Sequence, residues 1–226
     1  MRRHRSDGHE TRQQLLKAAS EVFATKGFWE ATVAEICKKA NANAAAANYH
    51  FGGKEALYLE SWRHAVEKSL KAYPPEGGVP GDAPVEERLR GRIHTIMRRI
   101  VDPESHDFDI LHKEMASPTG LLAGVIQESA EPILRGFLSI IRELLGEEAA
   151  EEQVQLCLMS IRAQCFGPLL WERHRKMDAS TRKLPGPGPD LGDVGALAEH
   201  VTRFSLAGVR EIRRLTEERR RAPQQR

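Results

Sequence analysis

The chain is poor in cysteine, in aromatic residues and in long apolar runs. Its three cysteines are too few for a disulfide framework, and aromatic residues make up only 6% of its 226 residues. No apolar run approaches the roughly 20 residues that a membrane-spanning helix needs. The basic N-terminus leads into polar residues and lacks the apolar stretch of a secretory signal. We therefore expect a cytoplasmic protein that is neither secreted nor embedded in a membrane.

The alternation of apolar and polar residues that is typical of β-strands is also missing. Apolar residues instead recur three or four positions apart in one segment after another, which is the spacing of amphipathic helices. With 40% hydrophobic and 29% charged residues, the chain has a globular composition and is long enough to bury a core. The sequence predicts an all-α fold.

Charge is distributed unevenly along the chain. Residues 1–73 contain 12 Lys and Arg against 8 Asp and Glu, whereas residues 74–226 contain 22 against 24. A basic N-terminal part on a slightly acidic remainder is compatible with nucleic-acid binding at the N-terminal end, although this excess alone decides little.

Two short helices and a tight turn are predicted near the N-terminus. A first helix over residues 10–26 ends at Gly27, and Thr32 caps a second helix over residues 33–40. Asn41 suits the turn that follows, because asparagine tolerates the left-handed backbone conformation. The arrangement is typical of a helix-turn-helix, which places the next helix in the recognition position.

That next helix begins after Asn43 and contains four consecutive alanines. Alanine favours helix and has almost no bulk, so the backbone can approach another surface closely. Asn43 is expected to cap the helix, and the amide of Asn48 matches the donor and acceptor pattern of an adenine edge. A glycine pair ends the helix, and Lys54 opens another, where its charge and the free N–H groups favour a phosphate.

The remainder of the chain is predicted to be helical, with two loops rich in proline and glycine. The loops cover residues 76–85 and 184–189. A kink is expected at Gly167 and Pro168. The predicted helices span residues 54–73, 85–101, 108–116, 121–145, 148–177 and 193–215.

Residues 10–60 resemble the DNA-binding domain of the TetR family of bacterial transcription regulators. The resemblance rests on four segments in order: TRQQLLKAA at 11–19, FATKGF at 23–28, TVAEICKKA at 32–40 and YHFGGKEALY at 49–58. The pattern from Asn43 to Lys54 resembles the branch with a CecR-like C-terminal domain. The recognition segment differs from the commonest family pattern at Asn41, Ala45 and Asn48, so operator sequences of other members do not transfer.

The resemblance implies a homodimer whose N-terminal domains bind a palindromic double-stranded DNA operator and whose C-terminal domains bind a small-molecule effector. It implies no cofactor. We divide the chain into a DNA-binding domain at 1–56 with an arm at 1–8, an effector-binding and dimerisation domain at 57–218, and a basic disordered tail at 219–226. The arm fits either a DNA minor groove or a solvated segment, and we expect the solvated segment. The expected DNA contacts are Thr11, Arg12, Thr32, Asn43, Ala44, Ala45, Asn48, Tyr49, His50 and Lys54.

These DNA contacts have different expected partners. Ala44 and Ala45 suit thymine methyl groups, and Asn48 suits a base edge or a phosphate. Tyr49 and Lys54 resemble phosphate contacts of the family.

His50 fits either a phosphate contact or a structural hydrogen bond. Phe51 and Leu57 are assigned to the core.

Helical phase suggests an effector pocket inside the second-half bundle. A mostly apolar lining with two polar groups suits a hydrophobic or aromatic effector. The dimer interface is expected on the helices around residues 154–171 and 197–212, whose apolar faces one subunit cannot cover. The expected pocket residues are His94, Met97, Leu111, Met115, Phe137, Ile140, Ile161 and Gln164.

Other chemistries find little support in the sequence. Cys157 and Cys165 share one helix face, which fits a thiol sensor, but packing is the preferred interpretation because no metal-ligand spacing surrounds them. His106, His112 and Glu114 do not lie on one helix face, so we predict no metal site. The main hypothesis is a ligand-responsive repressor. The alternatives are an enzyme, or a helical interaction module without DNA binding.

Overall fold

The computed structural model describes residues 3–177 and 192–221, and all regular structure in these ranges is helical. The all-α prediction is confirmed. Within these residues, no helix has an apolar stretch that could cross a bilayer. The predicted loop at 184–189 lies outside the described residues. The helices are α1 (Arg3–Glu30), α2 (Val33–Lys39), α3 (Ala44–Phe51), α4 (Lys54–Ala72), α5 (Val85–Val101), α6 (His106–Ala116), α7 (Ala123–Leu145), α8 (Glu151–Met177) and α9 (Val194–Arg221).

Helix α1 is longer than predicted at both ends. It begins at Arg3, so most of the expected solvated arm is helical, because each residue added to an existing helix gains a backbone hydrogen bond. Its predicted end at Gly27 is instead a kink with φ 73° and ψ −178°, beyond which the helix resumes. A Cβ at this glycine would also lie 3.4 Å from the Cβ of Lys113 on α6.

Helix α9 continues through Arg221, so the predicted disordered tail is helical over residues 219–221. Charged pairs one turn apart explain the extension. Arg213 pairs with Glu217 at 2.9 Å, and Arg214 bridges Glu211 and Glu218.

The first compact unit comprises Met1–Ala72 and Pro103–Glu131. Its centre is formed by Phe23 of α1, Tyr58 of α4 and Ile110 of α6, all fully buried. Helix α6 packs on α1 and α4 although it follows α5 in sequence. The expected domain boundary after residue 56 falls inside α4, so it does not coincide with a boundary between compact units.

The second unit comprises Tyr73–Asp102 and Pro132–Arg226. Helix α5 packs against α8 and α9 and buries Ile93 and Met97 completely. Arg173 of α8 closes the C-terminal end of α5 by donating to the backbone carbonyls of Ile100 at 2.6 Å and Asp102 at 2.7 Å. The C-terminal part of α7 belongs to this unit and begins at Pro132, a proline inside the helix.

Candidate nucleic-acid interface

The turn between α2 and α3 is built from local capping contacts. Thr32 Oγ1 accepts a hydrogen bond from the N–H of Glu35 at 3.2 Å, and Asn43 Oδ1 accepts one from the N–H of Ala46 at 2.8 Å. Asn41 lies in the left-handed region with φ 51°. The predicted caps and turn are confirmed, and they fix the direction in which α3 leaves the turn.

Helix α3 is attached to the first unit by one narrow face. Ala47 and Phe51 are buried on this face, with exposed fractions of 3% and 9%. The opposite face carries no large aliphatic side chain. The exposed residues at the start of α3 and on this outward face are Asn43, Ala44, Ala45, Asn48 and Tyr49. Five of the predicted DNA contacts therefore lie together on one accessible surface.

Lys54 stands at the N-terminal end of α4 with its Nζ 4.5 Å from the centre of the Phe28 ring. A cation above an aromatic face is attracted by the ring, which orients the lysine side chain. The N–H groups of the first helical turn add partial positive charge at the same end. The sequence did not indicate the contact between Phe28 and Lys54, because the two residues are distant in the chain.

Arg12 is engaged by two neighbours that the sequence did not indicate. Its Nη2 lies 2.8 Å from Glu60 Oε2, and its guanidinium carbon lies 5.3 Å from the centre of the Phe51 ring. Glu60 also accepts a hydrogen bond from Arg63 at 3.0 Å. A phosphate at Arg12 would therefore compete with a carboxylate that already occupies the guanidinium.

The remaining predicted DNA contacts differ in exposure. Thr32 is exposed, and its hydroxyl oxygen accepts the capping bond while its O–H can still donate to a phosphate. Thr11 and His50 are half-buried. The His50 ring packs against the rings of Tyr49 and Phe51 at 5.1 and 6.1 Å.

Six of the predicted effector contacts lie in the second unit. Gln164 donates to the carbonyl of Ser160 on its own helix at 3.2 Å, and His94 is half-buried with Nε2 3.7 Å from Glu199 Oε2. The other four are buried apolar side chains: Met97, Phe137, Ile140 and Ile161.

The prediction that Leu111 and Met115 lie inside the second-half bundle is wrong. Leu111 packs against the core of the first unit, and Met115 is 73% exposed, so neither lies inside the second-half bundle. The error comes from assigning α6 by its position in the chain. An amphipathic helix shows that one face is covered but not which helices cover it.

Cys157 and Cys165 of α8 are packed in the interior, and Glu114 of α6 is held by hydrogen bonds. Cys157 and Cys165 are buried, and burial raises the pKa of both thiols, that of Cys165 to about 12. A thiol that resists ionisation is a poor nucleophile, which supports packing. The Glu114 carboxylate accepts hydrogen bonds from Tyr58, Thr119 and Gly120.

Comparison with known proteins agrees with this geometry. Residues 15–60 match the tetR family of bacterial regulatory proteins. Residues 85–209, more than half of the chain, match the C-terminal domain of the HTH-type transcriptional dual regulator CecR. This chain belongs to the TetR family, in the branch with a CecR-like C-terminal domain. Members are transcriptional regulators, so this TetR-family chain is a DNA-binding regulator and not an enzyme.

Curated relatives and solved structures extend the similarity over most of the chain. The HTH-type transcriptional regulator SrpR of Pseudomonas putida is 26% identical over 220 residues, covering 95% of this TetR-family chain and 97% of SrpR. CecR of Shigella flexneri is 26% identical over 162 residues, covering 66% and 71%. A tetR-family regulatory protein from Rhodococcus RHA1 shares the fold, with a TM-score of 0.64, 18% identity and coverage of 88% and 96%.

Proposed function

We propose that this protein is a repressor that binds a palindromic operator as a homodimer and is released from it by a small hydrophobic effector. The proposal places the protein in the cytoplasm with the DNA that it binds. The observation that carries it is the outward face of α3, which is exposed and bears only short or polar side chains apart from Tyr49. A helix of this kind enters a major groove without bulk that would hold its backbone away from the bases.

Base contacts on this face have separate roles in the proposal. The methyl groups of Ala44 and Ala45 meet thymine methyls, and the amide of Asn48 pairs with an adenine edge, where a bidentate pair contributes about 1 to 3 kcal/mol of discrimination. Asn43 follows the turn and lies next to these residues. Two such helices in a dimer meet successive major grooves roughly 34 to 36 Å apart.

Phosphate contacts are proposed around this face. Lys54 and Tyr49 flank the end of α3, and Thr32 lies at the start of α2. Whether Arg12 contacts a phosphate can be tested through Glu60, which forms an ion pair with it. Glu60→Gln removes the competing charge, so operator affinity should rise at all DNA sequences, whereas an unchanged affinity would remove Arg12 from the interface.

Dimerisation is proposed through α8 and α9. Exposed apolar side chains line these helices, including Met159 at 61% and Phe204 at 63% exposure. Met159→Asp should shift the protein toward monomer in sedimentation velocity. Met115→Asp is the matched control, because Met115 is an exposed methionine on α6, with an exposed fraction of 73%. Equal behaviour of the two variants would exclude this interface.

Effector release requires that the effector bind one conformation better than the other, and couplings of about 1 to 3 kcal/mol are typical. The second unit is the proposed binding unit, since its four buried candidates Met97, Phe137, Ile140 and Ile161 form apolar surroundings. A ligand panel in thermal-shift experiments tests this part separately from DNA binding.

The decisive experiment selects bound sequences from a random duplex pool with the purified full-length protein. A palindromic consensus is expected, and Asn48→Ala should change the preferred base at one position in each half-site. Lys54→Ala should weaken binding at every sequence and lower the slope of log affinity against log salt by about 0.9 for each Lys54, or about 1.8 for a dimer. Lys71→Ala is the control, because this exposed lysine lies at the opposite end of α4. Failure to enrich any sequence would refute the proposal.

A further inference from the structure

The charged group of Arg92 in the second unit is almost enclosed. The Arg92 side chain on α5 is 11% exposed and lies against α7, where its guanidinium carbon is 5.7 Å from the centre of the Phe137 ring. Burial lowers the pKa of this guanidinium, neighbouring Arg88 lowers it further, and Glu76 opposes both effects. An enclosed cation is unfavourable unless anionic or hydrogen-bonding partners compensate for its lost hydration.

The partners of Arg92 are incomplete. Its Nη2 lies 3.3 Å from Glu76 Oε1, a carboxylate whose side chain is 59% exposed. Its Nη1 is buried and has no acceptor within hydrogen-bonding distance among the described residues. A guanidinium can donate two parallel hydrogen bonds to one carboxylate, and here one of the two nitrogens of that pair is unused.

Arg88, one turn earlier on α5, provides a comparison because it also contacts α7. Its Nε donates to the carbonyl of Ala83 at 3.0 Å, and its Nη2 pairs with Glu143 of α7. No nitrogen of Arg88 is among the buried donors without an acceptor. The incomplete bonding of Arg92 is therefore not shared by Arg88, which also contacts α7.

Gly136 of α7 creates the space for this guanidinium. A Cβ at Gly136 would lie 2.4 to 2.5 Å from Nη1, Nη2 and Cζ of Arg92, closer than side-chain carbons approach other atoms. Glycine inside a helix is destabilising relative to alanine, so this position lowers helix stability while admitting the cation. The adjacent Phe137 and the nearby Ile140 are buried and apolar.

We propose that Arg92 binds the anionic group of the effector, which is an organic acid whose carboxylate bonds Nη1 and whose apolar part lies along Phe137. The inference rests on the proposed function in assigning effector binding to the second unit, and it narrows the chemical class from hydrophobic compounds to hydrophobic acids. Glu76, from the segment between α4 and α5, is the internal carboxylate that the effector displaces from Nη2. A purely structural Arg92–Glu76 pair is the competing explanation.

The two explanations differ in what an added acid does. The full-length protein without DNA is titrated calorimetrically with benzoate and octanoate, with their uncharged amides and with inorganic phosphate. We expect at least one of the two acids to bind and to raise the melting temperature, and its amide to bind at least tenfold more weakly. Absence of binding by both acids, or phosphate binding as tight as theirs, would overturn the proposal.

Variants then assign the bound acid to Arg92. Gly136→Ala should fold, because alanine favours helix, yet it displaces the guanidinium and should weaken acid binding at least tenfold. Glu76→Gln should strengthen binding several-fold by removing the competing charge. Arg90→Gln is the control, since Arg90 is an exposed arginine on the same helix. Unchanged affinity in both Gly136→Ala and Glu76→Gln would overturn the assignment.

A separate measurement of operator binding distinguishes this inference from the proposed function. If an acid binds through Arg92 but leaves operator affinity unchanged, the site stands and the release mechanism fails. If the protein selects no operator, the calorimetric result still decides the acid site, because that titration contains no DNA.

Discussion

The Glu114 carboxylate accepts several hydrogen bonds in the first unit, and its removal gives a sharp test of the packing described above. It is 8% exposed and accepts hydrogen bonds from the hydroxyl of Tyr58 at 3.0 Å, the N–H of Thr119 at 3.0 Å, the hydroxyl of Thr119 at 2.9 Å and the N–H of Gly120 at 3.1 Å. Through these bonds one side chain of α6 joins α4 to the segment before α7.

The donors of these hydrogen bonds would not be affected equally by Glu114→Ala. The Tyr58 side chain is fully buried, so its hydroxyl would be left without a partner at a cost of about 1 to 3 kcal/mol. Thr119 is half-buried and Gly120 is exposed, so water can replace much of their bonding. With about 1 kcal/mol for the lost methylene packing, the free energy of unfolding should fall by about 2 to 4 kcal/mol. Tyr58→Phe should cost only about 1 to 2 kcal/mol, because the carboxylate keeps its other donors.

Urea unfolding of the full-length chain at one protein concentration measures these changes, and hydrogen exchange of α4 and α6 assigns them to the first unit. The double variant should show a coupling of about 1 to 2 kcal/mol between the two residues. Glu114→Gln is the control, since its amide oxygen can still accept from the backbone. A loss below about 0.5 kcal/mol in Glu114→Ala, or additive effects in the double variant, would refute the reasoning.

Four further predictions concern single residues. Asn43→Ala should lower the free energy of unfolding by about 1 kcal/mol, and Asn43→Ser should restore it, because serine also caps. Asn41→Val should cost about 1 to 2 kcal/mol relative to Asn41→Gly, since the left-handed backbone disfavours branched side chains; equal stabilities would contradict the φ of 51°. Burial, reinforced by Lys68, lowers the pKa of His106. Because the unfolded chain then binds a proton at His106 more tightly than the folded chain does, the free energy of unfolding should fall as the pH drops below 6.5. Melting curves of His106→Gln should show a smaller fall. Burial and Glu114 raise the pKa of Tyr58. The contribution of the protonated Tyr58 to the free energy of unfolding is therefore fully present below pH 10 and is lost as the pH rises above it. In the same assay, Tyr58→Phe should show a smaller loss of stability at alkaline pH.

Local features of the fold followed from the sequence. The caps at Thr32 and Asn43 and the left-handed Asn41 depend on residues within four positions of each other, so residue type alone predicts them. The accessible face of α3 followed for the same reason. Alanine at successive positions leaves only Ala47 and Phe51 on the side that packs.

Long-range contacts did not follow from the sequence. Helical phase identified buried positions on α6 but could not show that α1 and α4 cover them, and Leu111 and Met115 were misplaced as a result. The sequence did not indicate a role for Arg92, since its contact with Gly136 of α7 joins residues 44 positions apart and no local pattern predicts it. Such pairs depend on how helices are assembled, which periodicity does not encode.

Because α3 packs through only one narrow face, the residues that determine DNA sequence preference differ from those that stabilise the protein. Because Ala44, Ala45 and Asn48 bury nothing in the core, replacing them should leave the folded state almost unchanged. A library varied at these three positions would then consist mostly of folded proteins that differ in target sequence. The same property gives a natural lineage of this protein a route to new operators in which the intermediate variants remain stable.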